Sequence, residues 1–334
     1  MSHAPFRVSL FSFIFLFNFL SLSDSTFAIP IIETGEPRFN LGATPSAGHK
    51  GRFDFKTQIT IGDSFSDDGH GAWVASNGKW PVDPANYRHT FSNGPNWAQL
   101  LAKNLAVGLK SLAIGGSTAN NTLVTGYTGG DSSIGPVASA LDQIDIAIRQ
   151  EGRILDTTLV SIFTGCNDIL FDSNVTAKAV ADSIKAGVNK MQKSGARNFL
   201  LASYPDISTF PVSKLSVVSE AERKRWASYS LELSIRIKSI AKNPPRGVTI
   251  AFMDNYRLFK RILADPSQFG FDPRTIGDNC LVGSWPVENK PRKVCADASS
   301  RLWWDIFHPS AEGNKLMAKE AERALTAAFI YVPS

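Results

Sequence analysis

Five short runs, each β-branched or apolar and bounded by turn residues, constrain this chain more than any other feature. They cover residues 57–61, 109–114, 158–163, 198–202 and 248–253. Runs of this length and composition read as buried strands. Between them, apolar residues recur at helical spacing. Residues 96–105 carry Trp97, Leu100, Leu101 and Leu105, and residues 138–149 carry Leu141, Ile144 and Ile148. Residues 176–193, 220–241 and 311–329 show the same period. Strands alternating with helices imply a parallel sheet covered on both faces. In such sheets ligands collect beyond the carboxyl ends of the strands. The 334 residues, 43% hydrophobic and 19% charged, suit a single α/β domain over 56–334.

The start of the chain has a different character. Arg7 precedes an apolar run from Leu10 to Leu20, followed by small and polar residues up to Ala28. A basic start, a short apolar core and a small final residue describe a secretory signal peptide over 1–28. The run is too short and interrupted to span a bilayer. Residues 29–55 hold Pro30, Gly35, Pro37, Gly42, Pro45, Gly48 and Gly51, and read as an extended leader. Secretion predicts paired cysteines. Cys280 and Cys295 flank a loop rich in Gly, Pro and Lys, and a bridge between them would contribute about 3 kcal/mol. Cys166 is then a buried free thiol. Two sequons, Asn120-Asn121-Thr122 and Asn174-Val175-Thr176, fit an extracellular glycoprotein.

The formal charge of +5 is spread along the chain. Its densest basic stretch, Glu222-Arg223-Lys224-Arg225, falls in a helical pattern and reads as a solvated face. Aromatic and basic residues are not interleaved as nucleic-acid binding requires. The histidines are too few and dispersed for a zinc-type site, so no metal and no cofactor are expected. Gly126-Tyr127-Thr128-Gly129-Gly130 lacks the lysine of a nucleotide loop.

Chemistry gathers at the predicted carboxyl edge. The first strand ends in Gly62-Asp63-Ser64, Gly116 follows the second, and Asn167 follows the third. A serine hydroxyl needs a base to become a nucleophile. His308 lies three residues after Asp305, a spacing at which a turn lets the carboxylate orient the imidazole. Backbone amides of Ser64 and a glycine, with the Asn167 side chain, are suitable oxyanion donors. Gly115 rivals Gly116, because the paired glycines leave the register open by one.

Taken together these blocks resemble the GDSL, or SGNH, esterase/lipase superfamily. Gly62-Asp63-Ser64-Phe65, Gly115-Gly116, Gly165-Cys166-Asn167-Asp168 and Asp305-Ile306-Phe307-His308 resemble its successive motifs in order. Phe91-Ser92-Asn93-Gly94-Pro95-Asn96-Trp97 resembles a stretch common in its plant, fungal and bacterial members. The resemblance implies a flavodoxin-like three-layer α/β/α sandwich with a five-stranded parallel sheet. It implies Ser64 as nucleophile, His308 as base and Asp305 as its partner. Ser64, Gly116 and Asn167 would form the oxyanion hole. Phe65 replaces the usual leucine, and His70 stands where asparagine is common.

The pattern is most similar to secreted fungal carbohydrate acetylesterases, with plant GDSL lipases close by. Removal of short acyl groups, acetyl above all, from carbohydrate esters is therefore expected. A lipase or phospholipase for longer chains, acyl transfer through the same intermediate, and a non-catalytic carbohydrate-binding protein are the alternatives. Trp73, Trp80, Trp303 and Trp304 are candidates for stacking on sugar rings or lining an acyl pocket. The expected partner is a small-molecule or carbohydrate ester acted on by a monomer, with no nucleic acid and no stable membrane insertion.

Overall fold

The computed structural model describes residues 53–82, 84–130, 132–283 and 292–329. The signal peptide 1–28 and all of the leader except 53–55 lie outside the described residues. The five expected strands form one parallel sheet: β1 (Thr57–Gly62), β2 (Gly108–Ser111), β3 (Thr158–Phe163), β4 (Asn198–Ala202) and β5 (Thr249–Met253). Their order is β2-β1-β3-β4-β5. This order places the topological switch between β1 and β3, where doubly wound folds bind ligands. The central strand β3 is buried along its whole length, as a strand covered on both faces must be. A short hairpin, β6 (Leu281–Val282) with β7 (Lys293–Val294), stands apart from the sheet.

Among the described residues, eight α-helices accompany the sheet: α1 (Gly71–Ala75), α2 (Trp97–Leu105), α3 (Ala140–Glu151), α4 (Cys166–Phe171), α5 (Ala177–Lys193), α6 (Glu220–Lys242), α7 (Asn255–Ala264) and α8 (Ala311–Phe329). The helices α2 and α8 cover one face, and α3, α5 and α6 cover the other, giving the three layers. Capping boxes start α2 at Asn96 and Gln99, α3 at Ser139 and Asp142, and α6 at Ser219 and Glu222. Each satisfies backbone donors that helix geometry leaves without partners. At the start of the described chain, Phe55 is buried and meets Phe329 of α8 edge-on, with ring centres 5.3 Å apart. None of the helices among the described residues is long and apolar enough to cross a membrane.

Candidate active site

The end of β1 makes the turn that presents Ser64. Gly62 lies so close to β3 that a Cβ on it would sit 2.3 Å from the Phe163 carbonyl oxygen. Beyond it the chain tightens, with the amides of Ser66 and Asp67 both donating to the Asp63 carbonyl at 2.9 Å. Buried Gln143 of α3 fastens this strand end. Its Oε1 accepts the Gly62 amide at 2.8 Å and its Nε2 donates to the Gly62 carbonyl at 2.9 Å. The Tyr204 hydroxyl donates to the buried Asp63 carboxylate, and Phe65 packs edge-on to Phe163 and Tyr204. Ser64 itself is left partly exposed on this rigid support.

His308 arrives from the opposite end of the chain. Its loop doubles back, with the Trp304 amide donating to the His308 carbonyl at 2.8 Å and the Ser310 amide to Leu302 at 2.9 Å. Asp305 Oδ1 accepts the amides of Phe307 and His308, each at 2.8 Å. Both Asp305 oxygens lie 2.9 Å from His308 Nδ1. A carboxylate only accepts, so Nδ1 carries the proton and Nε2 offers a lone pair. That lone pair lies 2.7 Å from Ser64 Oγ. Burial pushes the Asp305 carboxyl up, but the His308 charge, its hydrogen bond and the Phe307 amide outweigh this and hold it below its ordinary value. Phe65 and Phe91 flank the imidazole, with centroids 5.6 and 5.0 Å from it. The Phe-Ser-Asn-Gly stretch braces this loop. Ser92 Oγ donates to the Pro309 carbonyl at 2.8 Å, and Asn93 Oδ1 accepts the Ala311 amide at 2.7 Å.

Ser64, Gly116, Asn167 and His308 line one cavity of about 70 Å³, with Trp80, Phe91, Leu170 and Phe171 in its walls. The Gly115 amide donates to Asp67 at 2.8 Å, and the neighbouring Gly116 lines the cavity beside Ser64. Gly116 has φ +87, and a Cβ on it would lie 1.8 Å from the Tyr127 carbonyl oxygen, so no larger residue fits without moving the backbone. Asn167, in the first turn of α4, donates one amide hydrogen to the Ser117 carbonyl at 2.9 Å, which orients the group and leaves a second hydrogen for a ligand.

The tryptophans divide. Trp80 lies in the cavity wall. Trp73 lies outside it, stacked at 3.6 Å on His89. The expectation that Trp303 and Trp304 face a bound group is corrected, because they are 0% and 1% exposed. Trp303 packs against Phe210 and Phe259 in the core. Trp304 lies in a small cluster with Cys280 and Leu281, and its indole N–H donates to Asn86. The Cys280–Cys295 disulfide is formed, and Cys166 is a buried free thiol in the cavity wall. His70, the departure from the motif, points to solvent with Nδ1 3.2 Å from Asp68. Among the described residues no cluster of three or more His, Cys, Asp or Glu is placed to hold a metal ion.

Sequence reasoning missed Gln143, Tyr204, Phe91 and Asp67 as parts of this site. Gln143 and Asp67 were open to a polarity argument. Gln143 sits on the apolar face of an amphipathic helix and Asp67 follows a strand end, and both are fully buried.

A doubly wound parallel sheet that brings a serine, a histidine and an aspartate into hydrogen-bonded series at its carboxyl edge defines a serine hydrolase. The chain belongs to the GDSL-like Lipase/Acylhydrolase family, whose model matches residues 59–321, and it is a GDSL-type carboxylic ester hydrolase. Among curated proteins it is similar to the thermolabile hemolysin of Vibrio parahaemolyticus serotype O3:K6 (strain RIMD 2210633), with 26% identity over 78% of this chain and 62% of that protein. The present chain thus spans less than two thirds of the hemolysin's length. It is also similar to the phosphatidylcholine-sterol acyltransferase of Aeromonas hydrophila, 27% identical over 82% of this chain and 80% of the other. The acetylesterase of Thermothelomyces thermophilus is 27% identical over 82% of this chain and 89% of the other.

Proposed function

We propose that the protein is a secreted esterase that removes short acyl groups, acetyl above all, from carbohydrate esters through an acyl-enzyme on Ser64. The observation that carries the mechanism is the unbroken series Asp305, His308 Nδ1, His308 Nε2, Ser64 Oγ. His308 Nε2 takes the Ser64 proton as Oγ attacks the ester carbonyl. The amides of Ser64 and Gly116 and the Asn167 side chain stabilise the oxyanion, each donor worth about 2.7–4 kcal/mol of barrier. The intermediate collapses, its C–O bond to the alcohol breaks, and His308 returns the proton to the leaving oxygen. Water then repeats the attack on the acyl-enzyme and frees the acid, restoring the Ser64 hydroxyl.

The small cavity of about 70 Å³ beside Ser64, with Trp80, Phe91, Leu170 and Phe171 among its lining, supports a short acyl group. The likeness to an acetylesterase along most of both chains supports the same reading. The reading of residues 1–28 as a signal and the disulfide, which suits an oxidising compartment, support secretion. Asn174 is exposed and open to glycosylation.

A second reading, a lipid acylhydrolase, draws on the similarity to a hemolysin and to a phosphatidylcholine-sterol acyltransferase. Turnover of 4-nitrophenyl esters of increasing chain length, together with acetate release from acetylated oligosaccharides, separates the two. A pocket that takes a long chain gains about 0.8 kcal/mol per buried methylene. The acetylesterase reading expects kcat/KM to be highest for acetate, whereas a rise beyond about eight carbons establishes the lipid reading instead.

A further inference from the structure

Asp67 lies one turn beyond the nucleophile, is fully buried, and is not used by the chemistry above. Its carboxylate collects four backbone amides from two separate segments of the chain. Oδ1 accepts Gly69 and Gly71, both at 3.0 Å. Oδ2 accepts Ala72 at 2.7 Å and Gly115 at 2.8 Å. The Asp67 carbonyl accepts the side chain of Asn96, the cap of α2, at 2.9 Å. Its titratable neighbours are Asp63, Asp68 and His70. A buried carboxylate is costly unless hydrogen bonds surround it, and here backbone amides do so. Three of the four donors, Gly69, Gly71 and Ala72, lie in the segment just after the Ser64 turn. The fourth belongs to the glycine beside Gly116.

We propose that Asp67 is a positioning residue for the oxyanion hole: by accepting the Gly115 amide together with those of Gly69, Gly71 and Ala72, it holds the Gly116 turn in register with the Ser64 turn. The Gly115 peptide is fixed on one side by this bond. On the other side the Gly116 backbone lies against Tyr127. The peptide between these anchors carries the Gly116 N–H. A donor useful to a transition state must already stand where the charge develops, and a displacement of about 1 Å can cost 10²-fold in rate. The proposal rests on the reading of Gly116 as an oxyanion donor.

The test is Asp67→Asn. An amide keeps one accepting oxygen and turns an NH₂ group toward two amides that can only donate. Active sites are counted by complete labelling with a fluorophosphonate, so that misfolded protein does not enter kcat. The expected result is a kcat lower by about 10- to 100-fold, a KM within about twofold, and an equal loss of affinity for a boronic acid that mimics the tetrahedral anion. A structural role alone lowers the melting temperature and leaves kcat per labelled site and boronate affinity unchanged, which overturns the proposal. Ser64→Ala is the control: activity in it overturns the hydrolase mechanism itself, whereas an inactive Ser64→Ala beside a fully active Asp67→Asn overturns only the role of Asp67. If Asp67→Asn does not fold, hydrogen exchange at the Gly115 amide of the wild type decides. Exchange among the slowest of the chain is expected, and exchange as fast as an exposed loop overturns the bond.

Discussion

His308 Nε2 stands 2.7 Å from Ser64 Oγ although the two residues are 244 positions apart. The fold joins a turn after the first strand to a turn before the last helix, and neither turn works without the other. Ser64→Ala and His308→Ala are each expected to lower kcat by at least about 10³-fold. The double variant should be little worse than either single one, because the groups act as a unit. Initial rates on 4-nitrophenyl acetate, with circular dichroism to show that both variants fold, check this. Asp305→Asn should cost about 10⁴-fold, because an amide favours the wrong imidazole tautomer.

The oxyanion donors make a second pair of expectations. Asn167→Ala removes a side-chain donor and should lower kcat by about 10²–10³-fold with KM little changed. Gly116→Ala acts differently. The added Cβ meets the Tyr127 carbonyl in a backbone conformation that L-residues disfavour. Its strain alone is about 1–3 kcal/mol, so both the melting temperature and kcat should fall. A Gly116→Ala protein with wild-type stability and rate would mean that this turn is softer than its packing implies.

The sheet was legible because each strand falls in a short β-branched or apolar run between turn residues, a pattern that survives any detail of packing. Its edge strand was read too long. Expected over 109–114, β2 ends at Ser111, although the Leu112 and Ile114 amides still donate to Thr60 and Gly62 of β1. The helix α7 was missed, yet Asp254 caps it and Leu258, Phe259 and Ile262 lie on its buried face. Ser64, Asp305 and His308 could be read because chemistry restricts residue type at fixed short spacings. The groups that hold them could not. Gln143 reaches Gly62, and Tyr204 reaches Asp63, only through tertiary packing. Trp303 and Trp304 show the limit most clearly, since sequence places them beside Asp305 without saying which way a ring turns.

That division yields a third test. Trp303→Ala and Trp304→Ala each remove a buried ring and should destabilise the protein by about 3–5 kcal/mol. The loss appears in the melting temperature, and KM should stay near the wild-type value at temperatures where the variant is folded. Trp80→Ala, in the cavity wall, should instead raise KM for short esters and ease entry of longer ones. A KM change in Trp304→Ala larger than that in Trp80→Ala would show that the indole next to Asp305 reaches the substrate.

The last expectation concerns pH. Burial pushes the Asp63 and Asp168 carboxyls up to about 7 and the Asp67 carboxyl up to about 6, from an ordinary 3.8, although hydrogen bonds pull each of them down. Between 3.8 and about 7 the folded protein therefore holds more protons at these sites than the unfolded chain does. Stability must then fall as pH rises through this window. The contribution is complete below the unfolded value and gone above the folded one. Asp305 works in the opposite sense, since its folded value is lowered. Its contribution is lost only as pH drops below the ordinary carboxylate range, so it does not mask the trend at higher pH. A tenfold change in proton affinity at one carboxyl is about 1.4 kcal/mol, and each kcal/mol moves the melting temperature by about 2–4 °C in a domain of this size. The melting temperature should thus decline from pH 5 to pH 8, and Asp168→Asn, which cannot ionise, should flatten part of that slope. A melting temperature that climbs steadily across the same range would mean that the amides around these carboxylates outweigh their burial.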